Sequence, residues 1–354
     1  MSPVSQIIWR NQHRIGDQND LLLIRPTADD LAMKLQSSGH TVHAISHSYK
    51  THTFLQQQGI ESSFSVTQSD SKRKWPLVIL FQPREKSLLE MMLELSAGYL
   101  QDDGELWLAG EKKSGIKSAG KRLPGHFHKH QNLDNARHCS LFAVSDPTTA
   151  HASNLSDYAS DWSFQLGETT IEIASLPGIF ADGRLDSGTR LLLDTLTDKA
   201  MLSQVSGRAL DFGCGAGTIG IALAQLCPGL DVTLLDDSAI ALEAASLTLD
   251  KNHQSARLIA SNGLETLLGS ETTQKFDWIV SNPPFHSGAA QELNTAHQFI
   301  NDCPKLLARN GKVCIVANNH LPYRRWLQEL FRNVQVIASD RGYNVWLAQH
   351  QVKN

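Results

Sequence analysis

Membrane-length apolar runs, a cysteine framework and a marked excess of either charge are all missing from this chain of 354 residues. No stretch approaches the roughly 18 consecutive apolar residues that a spanning helix needs, and the longest runs, such as Leu21 to Ile24, are strand-sized. Met1 to Arg14 carry no signal-peptide hydrophobic segment. The five cysteines (Cys139, Cys214, Cys227, Cys303 and Cys314) are odd in number and form no C-x-x-C pair. That excludes a disulfide framework, points to a reducing cytoplasm, and leaves them as small buried hydrophobes. A net charge of −4 does not fit a protein that coats nucleic acid non-specifically. Hydrophobic residues at 41% and charged residues at 19% describe an ordinary globular chain, too long for one average core.

The average charge hides two basic stretches. Between Glu111 and His138 stand seven basic residues (Lys112, Lys113, Lys117, Lys121, Arg122, Lys129, Arg137) against Glu111 and Asp134, a local +5. Lys72-Arg73-Lys74 precedes Trp75. Either run alone reads as solvated surface. Two in one half of the chain suggest an RNA-contacting face, for which Lys112, Lys113, Lys117, Lys121 and Arg122 are the candidates.

The second half alternates strands and helices. Strands are expected at Arg208–Phe212, Asp231–Leu235, Ala256–Ser261, Phe276–Ser281 and Lys312–Ala317. Helices are expected at Thr218–Cys227, Ser238–Leu249, Ala289–Ala308 (closed by Asn310-Gly311) and Trp326–Phe331. Val334–Ser339 and Tyr343–Gln349 read as a hairpin about Asp340-Arg341-Gly342, which would set one strand antiparallel in an otherwise parallel, doubly wound sheet. The first half repeats the module more weakly. Leu21–Arg25, Thr41–Ser46, Leu77–Phe81 and Glu105–Ala109 read as strands, Asp29–Gln36 and Ser87–Tyr99 as helices. Gln82-Pro83 falls where Asn282-Pro283 falls in the second half, which hints at duplication. No glycine follows the first strand of the first half, so that copy is expected to have lost any cofactor. The polar segment His151–Asp161 is the expected linker, giving domains at 1–155 and 165–354.

Asp211-Phe-Gly-Cys-Gly-Ala-Gly217 follows a strand and opens a helix, so Gly213, Gly215 and Gly217 let backbone approach a ligand. Thr218 stands where the strict dinucleotide pattern wants glycine, which weakens a nicotinamide reading. An acidic residue leading into the turn suits a cofactor with a cationic amino-acid end, steered by Asp211. Asp236 ends the next strand, 25 residues on, where a carboxylate can accept from both ribose hydroxyls. Asn262, after the third strand, is either a reader of an adenine edge or a turn former before Gly263.

Asn282-Pro-Pro-Phe-His286 leaves the fourth strand, and strand ends of such sheets face the ligand crevice. Prolines stiffen the loop, so the Asn282 side-chain oxygen and a neighbouring carbonyl (Pro283) can accept from a conjugated NH₂ group and stabilise charge as it takes a methyl. Phe285 can stack on a flat substrate. The alternating His126, His128 and His130 have no carboxylate or cysteine at ligand spacing, and no metal is expected.

These two motifs together resemble the class I amino-methyltransferases, which use S-adenosylmethionine. Leu176–Leu193 (LPGIFADGRLDSGTRLLL), Asn282–Gly288 and Ala317–Tyr323 narrow the likeness to the bacterial ribosomal RNA guanine-N2 methyltransferases, nearer to those of the small-subunit (16S) RNA than to those of the large subunit. The likeness is strong over about residues 170 to 350. It extends more weakly to Gly104–Ser118, in what would be a degenerate, cofactor-free methyltransferase-like domain. It implies two tandem Rossmann-like α/β domains, with Phe180, Asp186 and Gly188 bordering the methionyl end. Asn282 to Phe285 would hold a flipped-out guanine of the small ribosomal subunit, and no membrane or obligate protein partner is implied. Rival readings are a release-factor glutamine-N5 methyltransferase, a DNA adenine-N6 enzyme, and a non-catalytic ribosome-binding factor. The helical N-terminal domain of the first does not match the mixed elements here. A carbon-5 cytosine enzyme lacks its cysteine in the reaction loop.

Overall fold

The structure is a computed structural model. It describes residues 1–16, 19–70, 72–148, 154–179, 183–270, 274–283 and 290–351. The chain divides into two compact units, Met1–Ala159 and Ser160–Asn354.

The first unit holds β1 (Asp20–Ile24), β2 (Thr41–Ser46), β3 (Glu61–Phe64), β4 (Trp75–Phe81), β5 (Leu100–Glu111), β6 (Phe127–Ala136) and β7 (Cys139–Pro147), in the spatial order β3-β2-β1-β4-β5-β7-β6. The second opens with a separate hairpin, β8 (Ser160–Leu166) and β9 (Thr169–Ser175). Its main sheet holds β10 (Arg208–Phe212), β11 (Asp231–Asp236), β12 (Arg257–Ala260), β13 (Phe276–Ser281), β14 (Leu307–Asn318), β15 (Phe331–Asp340) and β16 (Tyr343–Gln351). Their order, β12-β11-β10-β13-β14-β16-β15, is the same topology again. In each sheet one strand, β7 or β16, runs against the rest; for β16 the hairpin expected about Asp340-Arg341-Gly342 foretold it.

The repetition reaches individual irregularities. Register slips between Trp75 and Leu77 of β4 against β5, and between Phe276 and Trp278 of β13 against β14. Each bulge contains a glycine at the same place. A Cβ on Gly104 would lie 2.8 Å from the Trp75 carbonyl oxygen, and one on Gly311 would lie 2.7 Å from that of Phe276. Both hairpins slip once, at Asn132/Asp134 and at Val336/Ala338. Both turn through two residues of positive φ, Arg137 and His138 (49° and 61°) or Arg341 and Gly342 (45° and 89°), the geometry that matches strand twist.

Asn310-Gly311 therefore does not close the preceding helix. Ala290–Leu306 ends directly at β14, and the glycine serves the bulge inside that strand. Asp161, placed in the linker by sequence, lies in β8, and residues 149–153 of that region fall outside the described ones. Strands β3, β6, β8 and β9 escaped the pattern search because exposed or half-buried polar residues dominate them or alternate along them.

Apolar side chains from both sheet faces make the cores. Leu21, Leu23, Ile79 and Trp107 anchor one, and Leu210, Leu235, Ile279 and Ile300 another. Phe212, the last residue of β10, stacks on Phe299 at 3.8 Å and 9°. All five cysteines are buried and free, which fits small apolar side chains. Among the described residues no helix is long and apolar enough to cross a membrane.

Gly104→Ala should lower the stability of the first unit by about 1–3 kcal/mol, because the clash is with backbone that cannot swing aside. Gly125→Ala meets nothing within 4 Å and should be near neutral. Denaturant midpoints for the two variants test the pair. Equal midpoints would remove the bulge constraint.

Candidate active site

The order of the second sheet reverses at β10, whose neighbours are β11 and β13, so the crevice of this open α/β sheet lies at their carboxyl ends. Four chain segments leave the sheet there. They are the Gly-rich turn after β10, Asp236 at the end of β11, Asn262 after β12 and Asn282 after β13. Ser281 Oγ donates to the Phe212 carbonyl at 2.7 Å and fastens the ends of β10 and β13 together.

In the turn, Gly213, Gly215 and Gly217 all have positive φ (68°, 55° and 81°). For Gly215, a Cβ would point into open space, so the backbone there faces a vacant volume. Gly220 is glycine for a second reason, since a Cβ would stand 2.3 Å from Leu234 Cδ2 and 3.2 Å from the Cβ of Asp211. The Gly220 amide instead donates to Asp211 Oδ2 at 2.8 Å. The other oxygen, Asp211 Oδ1, is buried with no hydrogen-bond partner among the described residues. Burial pushes this carboxyl up to about 7, and the nearby Asp236 adds to the rise while the Gly220 amide opposes it. Asp236 is also raised, chiefly by burial. Its Oδ2 accepts from the Gly215 amide at 3.0 Å and its Oδ1 from Ser238 at 2.9 Å. Burial, aided by both aspartates, raises the Cys214 thiol well above its ordinary range, so it is inert rather than nucleophilic.

An S-adenosyl cofactor fits this donor and acceptor set. The orphaned Asp211 Oδ1 and a second, half-buried carboxylate in reach of a glycine-lined turn favour a cationic, hydroxyl-bearing ligand. Asn262 is otherwise engaged. Its amide donates to Glu265 Oε1 at 2.9 Å, and Gly263 beside it turns with φ of 58°.

At the reaction end, Asn282 Nδ2 donates both to Asp186 Oδ2 and to Thr189 Oγ1, each at 2.9 Å. An ionised carboxylate accepts only, so the amide orientation is dictated: both N–H groups are taken and Oδ1 is the atom left to accept. Asp186 is itself fixed as N-cap of the helix Ser187–Leu196, accepting from the Thr189 amide at 3.0 Å. Gly188 makes room, because a Cβ would sit 3.1 Å from Asp186 Oδ2 and 3.1 Å from the Tyr343 ring. Thr189, Ser281 and Tyr343 were not singled out from sequence, since nothing in their spacing reveals a contact across some 70 residues or more. Phe180 and Phe285 lie outside the described residues, and Pro283 is buried.

In the first unit Lys112, Lys113, Lys117 and Lys121 are exposed, while Arg122 is half-buried and paired with Glu90. His126 is bound to the same Glu90 at 2.5 Å, so it does not join His128 and His130 on the exposed face of β6. No metal-holding group of three such side chains occurs among the described residues. The place of Gly213 is taken by Arg25, which keeps both the positive φ (58°) and the amide bond to the neighbouring strand (Arg25 to Ile45 O and Gly213 to Leu235 O, 2.8 Å each). Leu23 and Ser46 stand where the second unit has Asp211 and Asp236.

A carboxyl whose folded pKa lies above its unfolded value holds its proton more tightly in the folded chain. Its stabilising share is whole below about pH 4 and is lost as pH rises through about 7. Asp211→Asn should therefore gain stability relative to the parent as pH rises from 5 to 8, by denaturant unfolding of the ligand-free protein. A difference that stays constant with pH would refute the assignment.

Two family models cover nearly the whole chain: the methyltransferase small domain over residues 170–347 and its N-terminal counterpart over residues 5–162. The ribosomal RNA small subunit methyltransferase C of Shewanella baltica is 37% identical over 354 residues, 98% of this chain and 99% of its own. That of Shewanella pealeana is 35% identical over 98% of both chains. The solved structure of a T. thermophilus 16S rRNA N2 G1207 methyltransferase, in complex with AdoMet and guanosine, shares the two-unit fold. Its TM-score is 0.85 at 24% identity, covering 99% of this chain and 92% of that one. With relatives of this closeness along its full length, the chain belongs to the ribosomal RNA small subunit methyltransferase C family.

Proposed function

We propose that this protein transfers a methyl group from S-adenosylmethionine to the exocyclic N2 amine of a guanine in 16S ribosomal RNA, in the cytoplasm. The observation that carries the reading is the fixed amide of Asn282, with its oxygen presented at the strand end beside the glycine turn. The bound cofactor supplies an already activated methyl group on a sulfonium. Gly213, Gly215 and Gly217 let the backbone of the turn pass close against it, Asp211 balances its cationic end, and Asp236 binds its ribose. Phe180, Asp186 and Gly188 border its methionyl end, and Asn262 faces the adenine by way of its turn.

Asn282 Oδ1 and the Pro283 carbonyl accept the two N–H groups of the target amine. That orients the nitrogen lone pair and stabilises the positive charge that grows during transfer. The proton leaves afterwards, so no strong base is required. Phe285 stacks on the base. Positioning supplies most of the rate, because the donor is activated beforehand. The name shared by the full-length relatives supports the RNA class. The first unit, with a leucine, a serine and a half-buried arginine at the cofactor positions, contributes no second methyl-transfer site and offers Lys112, Lys113, Lys117 and Lys121 to RNA. Arg122 joins them only by leaving Glu90.

Asn282→Ala should cut labelled methyl transfer to 16S RNA, free or as undermethylated small subunits, by about 100-fold or more, with cofactor affinity near normal. A selective loss of cofactor binding would take Asn282 out of the reaction. Asp236→Ala should do the reverse, weakening cofactor binding measured by calorimetry. Label recovered as N2-methylguanosine establishes the reaction; label in release factor or DNA would replace it.

A further inference from the structure

The second unit carries a lip of exposed arginines beside its reaction end. The turn of the β15–β16 hairpin is bonded to the loop that follows β14, with the Asn319 amide donating to the Gly342 carbonyl at 2.8 Å. That loop leads into the helix Tyr323–Leu330. The lip thus gathers Arg341 from the hairpin tip with Arg324 and Arg325 from the first turn of the helix, and His320 from the loop between them. All four are exposed.

Its place is set by Tyr343. This residue follows the hairpin tip, pairs with Asn318 at the end of β14, and lays its ring against Gly188, next to the Asp186 that orients Asn282. The lip therefore lies at the same carboxyl end of the sheet as Asn282, linked to it through Tyr343, Gly188 and Asp186.

The duplicated fold supplies an independent observation. In the first unit the Lys112 amide donates to the His138 carbonyl at 2.7 Å, tying the loop after β5 to the tip of the β6–β7 hairpin in the same way. At the corresponding places stand Arg137 on the tip and Lys117 in the first turn of the helix Ile116–Gly120. Both copies have kept cations on this lip, although they have diverged at the cofactor positions.

Nearby carboxylates do not neutralise it. Arg325 meets Glu329 at 3.1 Å and Arg341 meets Asp340 at 3.8 Å, but these pairs are half or more exposed. Such pairs are weak and exchange readily for a phosphate, which guanidinium groups bind in a bidentate manner. Arg324 has no ion-pair partner among the described residues.

We infer that Arg324, Arg325 and Arg341 grip the phosphates that flank the target nucleotide, so that the RNA is held at the lip of the same unit that methylates it. The inference rests on the RNA-methylating function proposed above.

The test is the triple variant Arg324→Ala, Arg325→Ala, Arg341→Ala in the full chain, beside Arg309→Ala as an exposed control at the opposite end of β14. With an RNA that the parent methylates, KM for RNA should rise about ten-fold or more. The salt dependence of RNA binding should become shallower by roughly 0.7 to 0.9 per lost phosphate contact. kcat at saturating RNA, cofactor affinity and thermal midpoint should stay near the parent values, and the triple lysine variant should recover most of the KM. Unchanged KM and salt slope would overturn the lip, as would equal effects from Arg309→Ala. Failure of the parent to methylate any RNA would instead overturn the function on which it rests.

Discussion

The reaction end of the second unit is organised around one side-chain amide that cannot turn over. Asn282 gives both N–H groups to oxygen acceptors, Asp186 and Thr189, and only its oxygen remains to accept, which suits the amine proposed for this site. A freely rotating asparagine would present donor and acceptor in turn, and a donor facing an NH₂ group repels it. The lock is built from afar, because Asp186 and Thr189 sit in the first turn of a helix that precedes β10, while Asn282 follows β13. The capping bond from Thr189 to Asp186 and the tie between Ser281 and Phe212 hold the two ends in register. Gly188 is part of the same device, since only a missing side chain lets the carboxylate and the Tyr343 ring close on one point.

The cofactor end is built on a different principle. A buried and a half-buried aspartate lie close together, the buried one with an oxygen that nothing among the described residues satisfies. Burying carboxylates in this way costs stability unless a cation or hydroxyl group arrives, and the raised Asp211 is the mark of that cost. The first unit shows what the fold does without the requirement. Strand order, bulges and hairpin turns persist, the aspartates are a leucine and a serine, and an arginine occupies a glycine conformation. The scaffold is thus separable from the site, and loops at matching ends of both units carry basic residues while only the second has aspartates at the ends of its first two strands.

The main-sheet strands of the second unit were legible because they are apolar runs with turns between them, and Arg208–Phe212 and Phe276–Ser281 fall on β10 and β13. The edge strands β3 and β6 were harder to read. A strand covered on one side only needs little apolar content, and β6 shows solvent a row of histidine, lysine and glutamine. The pattern also misplaced Asn310-Gly311, because an Asn-Gly pair signals a helix end or a hairpin equally well, and only the nearness of the Phe276 carbonyl makes it a bulge.

The sequence by itself determined the topology of the chain and the kind of chemistry. Alternating glycines after a strand, an aspartate at the next strand end and Asn-Pro-Pro one module later are local features, and local spacing is what a linear chain records. Tertiary structure decided the roles that need distant partners. It spent the Asn262 amide on Glu265 and turned Arg122 to Glu90. It made Asp186 and Thr189 the clamp on Asn282, and it carried Arg324, Arg325 and Arg341 to one lip. Hydrogen bonds act over about 3 Å whatever the separation along the chain, so such partners come into view only once the strands have been laid side by side.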